Sequence, residues 1–207
     1  MHQFQKTPLS HEEQQAVKRH LQFIDHLTRE SIKHGYRTII SGGYAVDGAI
    51  GLITRPHEDV DIQLYGTDVL NPVLLAEICL TGQYSDLMIE DHGRDEYWHK
   101  FLISEIGAET YYIRVATKPF SDSKIVIKSD GKYSEEHDFD TKVVVLNGVR
   151  FEIQSPVIEL ADKLSKREHR GDPKLQKHEQ DIQNLRLITD SYDVQETLQK
   201  LIKKHKN

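Results

Sequence analysis

Apolar positions recur at intervals of three and four through Val17, Leu21, Ile24 and Leu27. That period predicts one face of an amphipathic helix. Ser10, followed three residues later by Glu13, reads as a capping box at its start, and Gly35 as its stop. The pattern then changes. Tyr36–Ser41 and Asp59–Tyr65 read as the first two strands, separated by a short helix over Tyr44–Ile50. Asn71-Pro72 has the form of an N-cap with proline at the first helical position, which predicts a helix over Pro72–Leu80. Tyr84–Glu90, Tyr97–Ile106, Glu109–Thr117 and Ser123–Ser129 read as strands, and the polar, acidic stretch Asp130–Asp140 as a loop. Lys142–Leu146 and Val149–Ile153 flank Asn147-Gly148, the dipeptide of a type I′ hairpin. Ser155-Pro156 and Asp172-Pro173 each begin a helix, running to about His169 and Thr189, and Val194–Lys204 is a last amphipathic helix.

The order of these elements predicts an α/β (α+β) fold, a mixed β-sheet with helices on one side and a C-terminal helical segment. The composition turns helical after residue 155, so the expected division is a core of 1–154 and a helical segment of 155–207, which is short for a domain of its own. The chain has 207 residues, 37% hydrophobic and 29% charged, as in an ordinary globular protein. No apolar run reaches membrane-spanning length. The first residues lack a signal peptide's apolar centre and there is one cysteine, Cys79, so a cytoplasmic protein is expected. The net charge of −6 argues mildly against a nucleic-acid backbone as main partner. The 12 histidines fall in no convincing zinc-ligand spacing.

The candidate chemistry is concentrated between Ser41 and Asp61. Gly42-Gly43 follows an apolar run, and glycine lets backbone N–H groups approach a phosphate closely. A helix starting just after it would aim its positive end at the same place. Asp59 and Asp61 are two apart, so in a strand they share a face. Carboxylates so placed repel unless a cation lies between them, and Mg²⁺ is the cation such a pair usually holds beside a phosphate. Each half has a plainer reading, a tight turn for the glycines and solvated surface for the acids; their co-occurrence favours a site.

Gly42-Gly43-Tyr44-Ala45-Val46-Asp47, Gly51, and Arg55-Pro56-His57-Glu58-Asp59-Val60-Asp61-Ile62 together resemble the signature of small-molecule nucleotidyltransferases of the polymerase-β-like superfamily. Within it the chain is similar to aminoglycoside 2″-nucleotidyltransferases and lincosamide nucleotidyltransferases. The resemblance implies Mg²⁺-dependent transfer of a nucleoside monophosphate, AMP from ATP as the first expectation, to a hydroxyl of a small molecule such as an aminoglycoside or lincosamide antibiotic. It implies Asp59 and Asp61 as metal ligands, Gly42 and Gly43 at the phosphates, and Arg55 and His57 lining the nucleotide site. Lys163, eighteen residues before Asp181-Ile182, is similar to a family lysine that reaches the triphosphate; a solvated basic face is the alternative. The family takes a third acid from a later strand. Here that strand shows Tyr112, Ile113 or Arg114 at the expected position, with Glu109 the nearest acid, so either Glu109 serves or the third acid is absent. The absence would leave a nucleotide-binding regulatory module without transfer. A nucleotidyltransferase acting on a protein or RNA is the remaining alternative.

Overall fold

In a computed structural model the backbone is described for residues 3–66, 72–81, 84, 86–94, 98–104, 110–116, 124–129, 133–138, 141–170, 175–190 and 193–197. Helix α1, His11–Lys33, starts where the capping box places it. Ser10 Oγ accepts the Glu13 N–H and the Glu13 carboxylate accepts the Ser10 N–H. It buries Val17, Leu21, Phe23, Ile24 and Leu27. Then follow β1 (Tyr36–Ser41), α2 (Gly42–Ile50), β2 (Asp59–Gly66), α3 (Pro72–Cys79), β3 (Met88–Arg94), β4 (Trp98–Ser104) and β5 (Thr110–Ala116). The chain continues through β6 (Lys124–Ser129), β7 (Tyr133–Asp138), β8 (Thr141–Leu146), β9 (Val149–Gln154), α4 (Pro156–Arg170) and α5 (Leu175–Arg186), with a helical turn over 193–197.

Seven strands form one mixed sheet in the order β3-β4-β5-β2-β1-β9-β8. β1 is antiparallel to β2 and parallel to β9, and β2 is parallel to β5. Pairing of Ile40 with Ile62 and with Ile153 aligns the buried positions of three strands. Those residues, with Val60, Leu64, Phe101, Tyr111, Ile113 and Phe151, join the α1 stripe, Tyr44 and α3 in one core. Helices thus cover this face. The alternate residues, Ser41, Asp59, Asp61 and Gln63, point to the other face. A second cluster, Val46, Leu160, Ile182, Leu185 and Val194, packs the C-terminal helices on α2.

Three elements depart from the sequence expectation. The stretch 130–140 is not all loop, because 133–138 pairs with β6 in a separate hairpin. A ladder of backbone hydrogen bonds needs no apolar side chain, so composition did not reveal it. β3 begins at Met88 rather than Tyr84, whose ring instead packs on Phe23 and His26 of α1. Helix α2 begins at Gly42, two residues before the expected Tyr44. The Asn147-Gly148 turn has positive φ at both residues, 48° and 83°, as a type I′ hairpin requires. The expected caps Asn71 and Asp172-Pro173, and the last helix beyond residue 197, lie outside the described residues.

His20 is the charged-type residue the core treats least kindly. It is buried, its Nδ1 lies 2.9 Å from the Tyr44 hydroxyl, and its Nε2 has no hydrogen-bond partner among the described residues. Burial, reinforced by the neighbouring His57 and Arg19, lowers its pKa from 6.5 to about 4. The unfolded chain therefore binds a proton that the folded chain refuses. Stability is complete above the unfolded pKa of 6.5 and is lost as pH falls toward 4. Urea unfolding at pH 7 and 4.5 is expected to show about 2–3 kcal/mol of loss from this group. His20→Gln should remove that part of the acid sensitivity; an unchanged difference between the two pH values would refute the assignment.

Candidate active site

The site is built at the junction of β1 and α2. Ser41 ends β1 in extended conformation and stands at the N-cap of α2. Gly42 follows with φ +69°, in the left-handed region that glycine tolerates. A Cβ there would also lie 2.3 Å from Oδ2 of Asp61. A Cβ on Gly43 would lie 2.3 Å from His57 Nδ1 and 3.1 Å from an Arg55 guanidinium nitrogen. Each glycine is thus the space into which a functional side chain fits. Asp59 and Asp61 project from the same face of β2, with Asp61 opposite Ser41 in the β1–β2 register. Burial, and next the Asp61 charge, raise the Asp59 pKa above the ordinary carboxylate value, while Lys177 and His57 work the other way.

Asp47 holds the loop that carries Arg55 and His57. It is fully buried, accepts the Thr54 N–H at 3.1 Å and the Thr54 hydroxyl at 2.6 Å, and lies 2.6 Å from His57 Nε2. It thus acts across the turn that follows its own helix. His57, held from one side by Asp47, packs its ring on Tyr44 at 4.5 Å and presents Nδ1 to Gly43.

Arg55 and Lys163 converge on one buried carboxylate. The Arg55 guanidinium donates two bonds to Asp181, at 3.0 and 2.9 Å, and Lys163 Nζ donates a third at 2.9 Å. Burial alone would raise the Asp181 pKa. Lys163 and Arg55 overcome it and hold the carboxyl below its ordinary range. Burial likewise opposes the Arg55 charge, and the bonds to Asp181 outweigh it. Two cations on one carboxylate leave one formal positive charge behind Gly43. Neither of these two expected nucleotide contacts is a free side chain. Lys177 is paired with Glu58 at 3.6 Å.

Two features escaped the sequence reading. The carboxylate of Glu159, a buried residue, accepts the Gly42 N–H at 3.0 Å, so helix α4 sends an acid to the first donor of α2. The only local signal was an acid in the first turn of α4, one turn before Lys163. The second is the Ser41 hydroxyl, which is buried and lacks a hydrogen-bond partner among the described residues. In the parallel β2–β5 register Asp61 pairs with Tyr112, and Ile113 faces the core, so Tyr112 occupies the place beside Asp61 on its own face. Glu109 lies outside the described residues. Among the described residues no three His, Cys, Asp or Glu side chains converge as a metal cluster. Mg²⁺ is commonly held by one or two carboxylates plus substrate phosphates, and the Asp59–Asp61 pair fits that donor set.

Residues 24–83, which contain the glycines and the acidic pair, match the family model of the aminoglycoside-2″-adenylyltransferases. The fold is similar to the solution structure of the antibiotic-resistance factor ANT(2″)-Ia, with TM-score 0.64, 16% identity, and 91% of this chain and 94% of that chain covered. It is similar to the crystal structure of ANT(2″)-Ia with adenylyl-2″-tobramycin, with TM-score 0.60, 16% identity, and 90% and 99% covered. For the lincomycin-bound lincosamide antibiotic adenylyltransferase LnuA the TM-score is 0.52, again at 16% identity, with 88% and 100% covered. No curated protein sequence matches the chain. At these identities the structures establish the fold, and the family match is carried by the segment that builds the site. No helix among the described residues is long and apolar enough to cross a membrane. The segment with the two glycines and the acidic pair thus matches the aminoglycoside-2″-adenylyltransferase model over residues 24–83, and the chain shares the fold of the solved structures it resembles.

Proposed function

We propose that the chain transfers AMP from ATP to a hydroxyl of a small polar molecule, with Mg²⁺ as cofactor and an aminoglycoside or lincosamide antibiotic as the acceptor class. The observation that carries this reading is the placement of Asp59 and Asp61 on one face of β2, with Asp61 seated against Gly42. The names of the similar structures, which contain an adenylylated aminoglycoside and a lincosamide, support the acceptor class. An ATP-dependent reaction of this kind belongs in the cytoplasm.

In this reaction the acceptor oxygen bonds to the α-phosphorus, the bond from that phosphorus to the bridging oxygen breaks, pyrophosphate leaves, and the hydroxyl proton is released. Asp59 and Asp61 would hold the Mg²⁺, which when bound neutralises phosphate charge and aligns the groups that react. Gly42 and Gly43, having no side chains, let Asp61 and His57 close up to the start of α2, where the phosphates would bind. Arg55 and Lys163 contribute their excess positive charge from behind this turn, and Asp181 fixes their positions. His57, clamped by Asp47, shapes the wall beside Gly43. Glu159, Lys163 and Asp181 all come from the helices after residue 155, so the C-terminal segment forms part of the site. Most of the required catalysis is position and electrostatics, which these groups would supply.

Pyrophosphate release from Mg-ATP, measured over a panel of aminoglycosides, lincosamides and simple polyols beside Asp59→Asn, tests the reading. Release with one acceptor, lost in the variant, is the expected result. Tyr112 beside Asp61 favours a second reading, a nucleotide-binding module without transfer. It requires saturable Mg-ATP binding with no pyrophosphate from any acceptor, and release that depends on Asp59 would exclude it.

A further inference from the structure

We infer that the Ser41 hydroxyl is a phosphate-positioning group of this site, donating a hydrogen bond to a polyphosphate oxygen of the bound Mg-nucleotide. The inference rests on the reading of the site as a nucleotidyltransferase and adds a residue to it. Three observations meet at Ser41. Its backbone places it at the N-cap of α2, a helix of nine residues, yet its side chain makes no capping bond. Its Oγ is buried, in a residue only 5% exposed, and has no hydrogen-bond partner among the described residues. Its register partner across β1–β2 is Asp61, so its side chain leaves the sheet on the carboxylate face.

A serine at an N-cap ordinarily accepts an N–H of the first turn, and an unmade bond of a buried hydroxyl costs free energy. The fold does not recover that bond with its own groups. The neighbouring donor, the Gly42 N–H, is already taken by Glu159 at 3.0 Å. A donor with no acceptor, beside a helix N-terminus and an acidic pair, matches what a phosphate oxygen brings when it arrives with Mg²⁺. A phosphate oxygen only accepts, so the hydroxyl serves as the donor to the anion.

The test is calorimetric binding of the Mg²⁺ complex of α,β-methylene ATP, and of adenosine alone, to the full chain, Ser41→Ala, Ser41→Thr and Asp59→Asn. Hydrogen bonds to charged groups set the scale, so Ser41→Ala is expected to weaken the Mg-nucleotide about ten- to a hundredfold. Adenosine binding should not change, the melting temperature should hold or rise, and Ser41→Thr should restore most of the affinity. Equal nucleotide affinity of the full chain and Ser41→Ala, with Asp59→Asn impaired, overturns the Ser41 assignment alone. A loss of affinity with an equal loss of adenosine binding and a lower melting temperature also overturns it, because that is a folding defect. If the full chain binds no Mg-nucleotide, the nucleotidyltransferase reading falls and takes this assignment with it.

Discussion

Asp59→Asn is expected to lower nucleotidyl transfer about a thousandfold while leaving the protein as stable as before, or more so. The rate follows from the chemistry. Charge neutralisation at the reacting phosphate is worth several kcal/mol, and each 1.36 kcal/mol is a factor of about ten. The stability follows from the raised Asp59 pKa, caused first by burial and then by Asp61. A carboxyl with a raised folded pKa binds its proton more tightly in the folded chain. It therefore favours the fold at low pH, and that advantage is lost as pH rises through the window above the ordinary value of 3.8. At neutral pH the charged Asp59 is a burden that an amide lacks. Melting temperatures of the two proteins near pH 7 without Mg²⁺, set beside single-turnover rates with it, check both halves. Retained transfer sinks the metal-ligand role. A clear drop in melting temperature would show that Asp59 stabilises the fold.

Asp181→Ala is expected to act the opposite way, through the fold. Asp181 is fully buried and is the shared acceptor of Arg55 and Lys163, themselves largely buried. Its removal strands two cations. Breaking a buried ion pair from one side costs about 3–5 kcal/mol, against a total stability of about 5–15 kcal/mol for ordinary domains. For a chain of this size that corresponds to a fall of roughly ten degrees in melting temperature. Adding Lys163→Met should recover part of the loss, since one stranded charge disappears. The carboxyl has a lowered folded pKa, so its contribution is present above 3.8 and lost as pH falls through the folded value. Urea unfolding of the single and double variants decides the matter; a loss below about 1 kcal/mol would mean that solvent reaches the cluster and screens it.

The opposition between these two variants follows from where the residues lie. Asp59 is proposed to hold a cation that arrives with the substrate, whereas Asp181 is supplied with its cations by the chain itself.

What the sequence determined by itself was local. The α1 capping box, the Asn147-Gly148 hairpin and the β1 and β2 runs depend on residues a few positions apart, and all were legible. So was the shared face of Asp59 and Asp61, because a strand alternates whatever surrounds it. Gly42 and Gly43 were legible as a close-approach turn, though not the identity of the groups that approach, Asp61 for one and His57 with Arg55 for the other. The tertiary structure decided the rest. Arg55 meets Asp181 across 126 residues and Gly42 meets Glu159 across 117, and no periodicity records such a meeting. The β2–β5 register put Tyr112, rather than Ile113, beside Asp61, because a shift of one residue sends a side chain to the other face. Strand β7 exists through its backbone ladder with β6, against its composition. The orphaned Ser41 hydroxyl depends on both levels: the sequence places a serine before Gly42-Gly43, and only the packed chain leaves it without an acceptor.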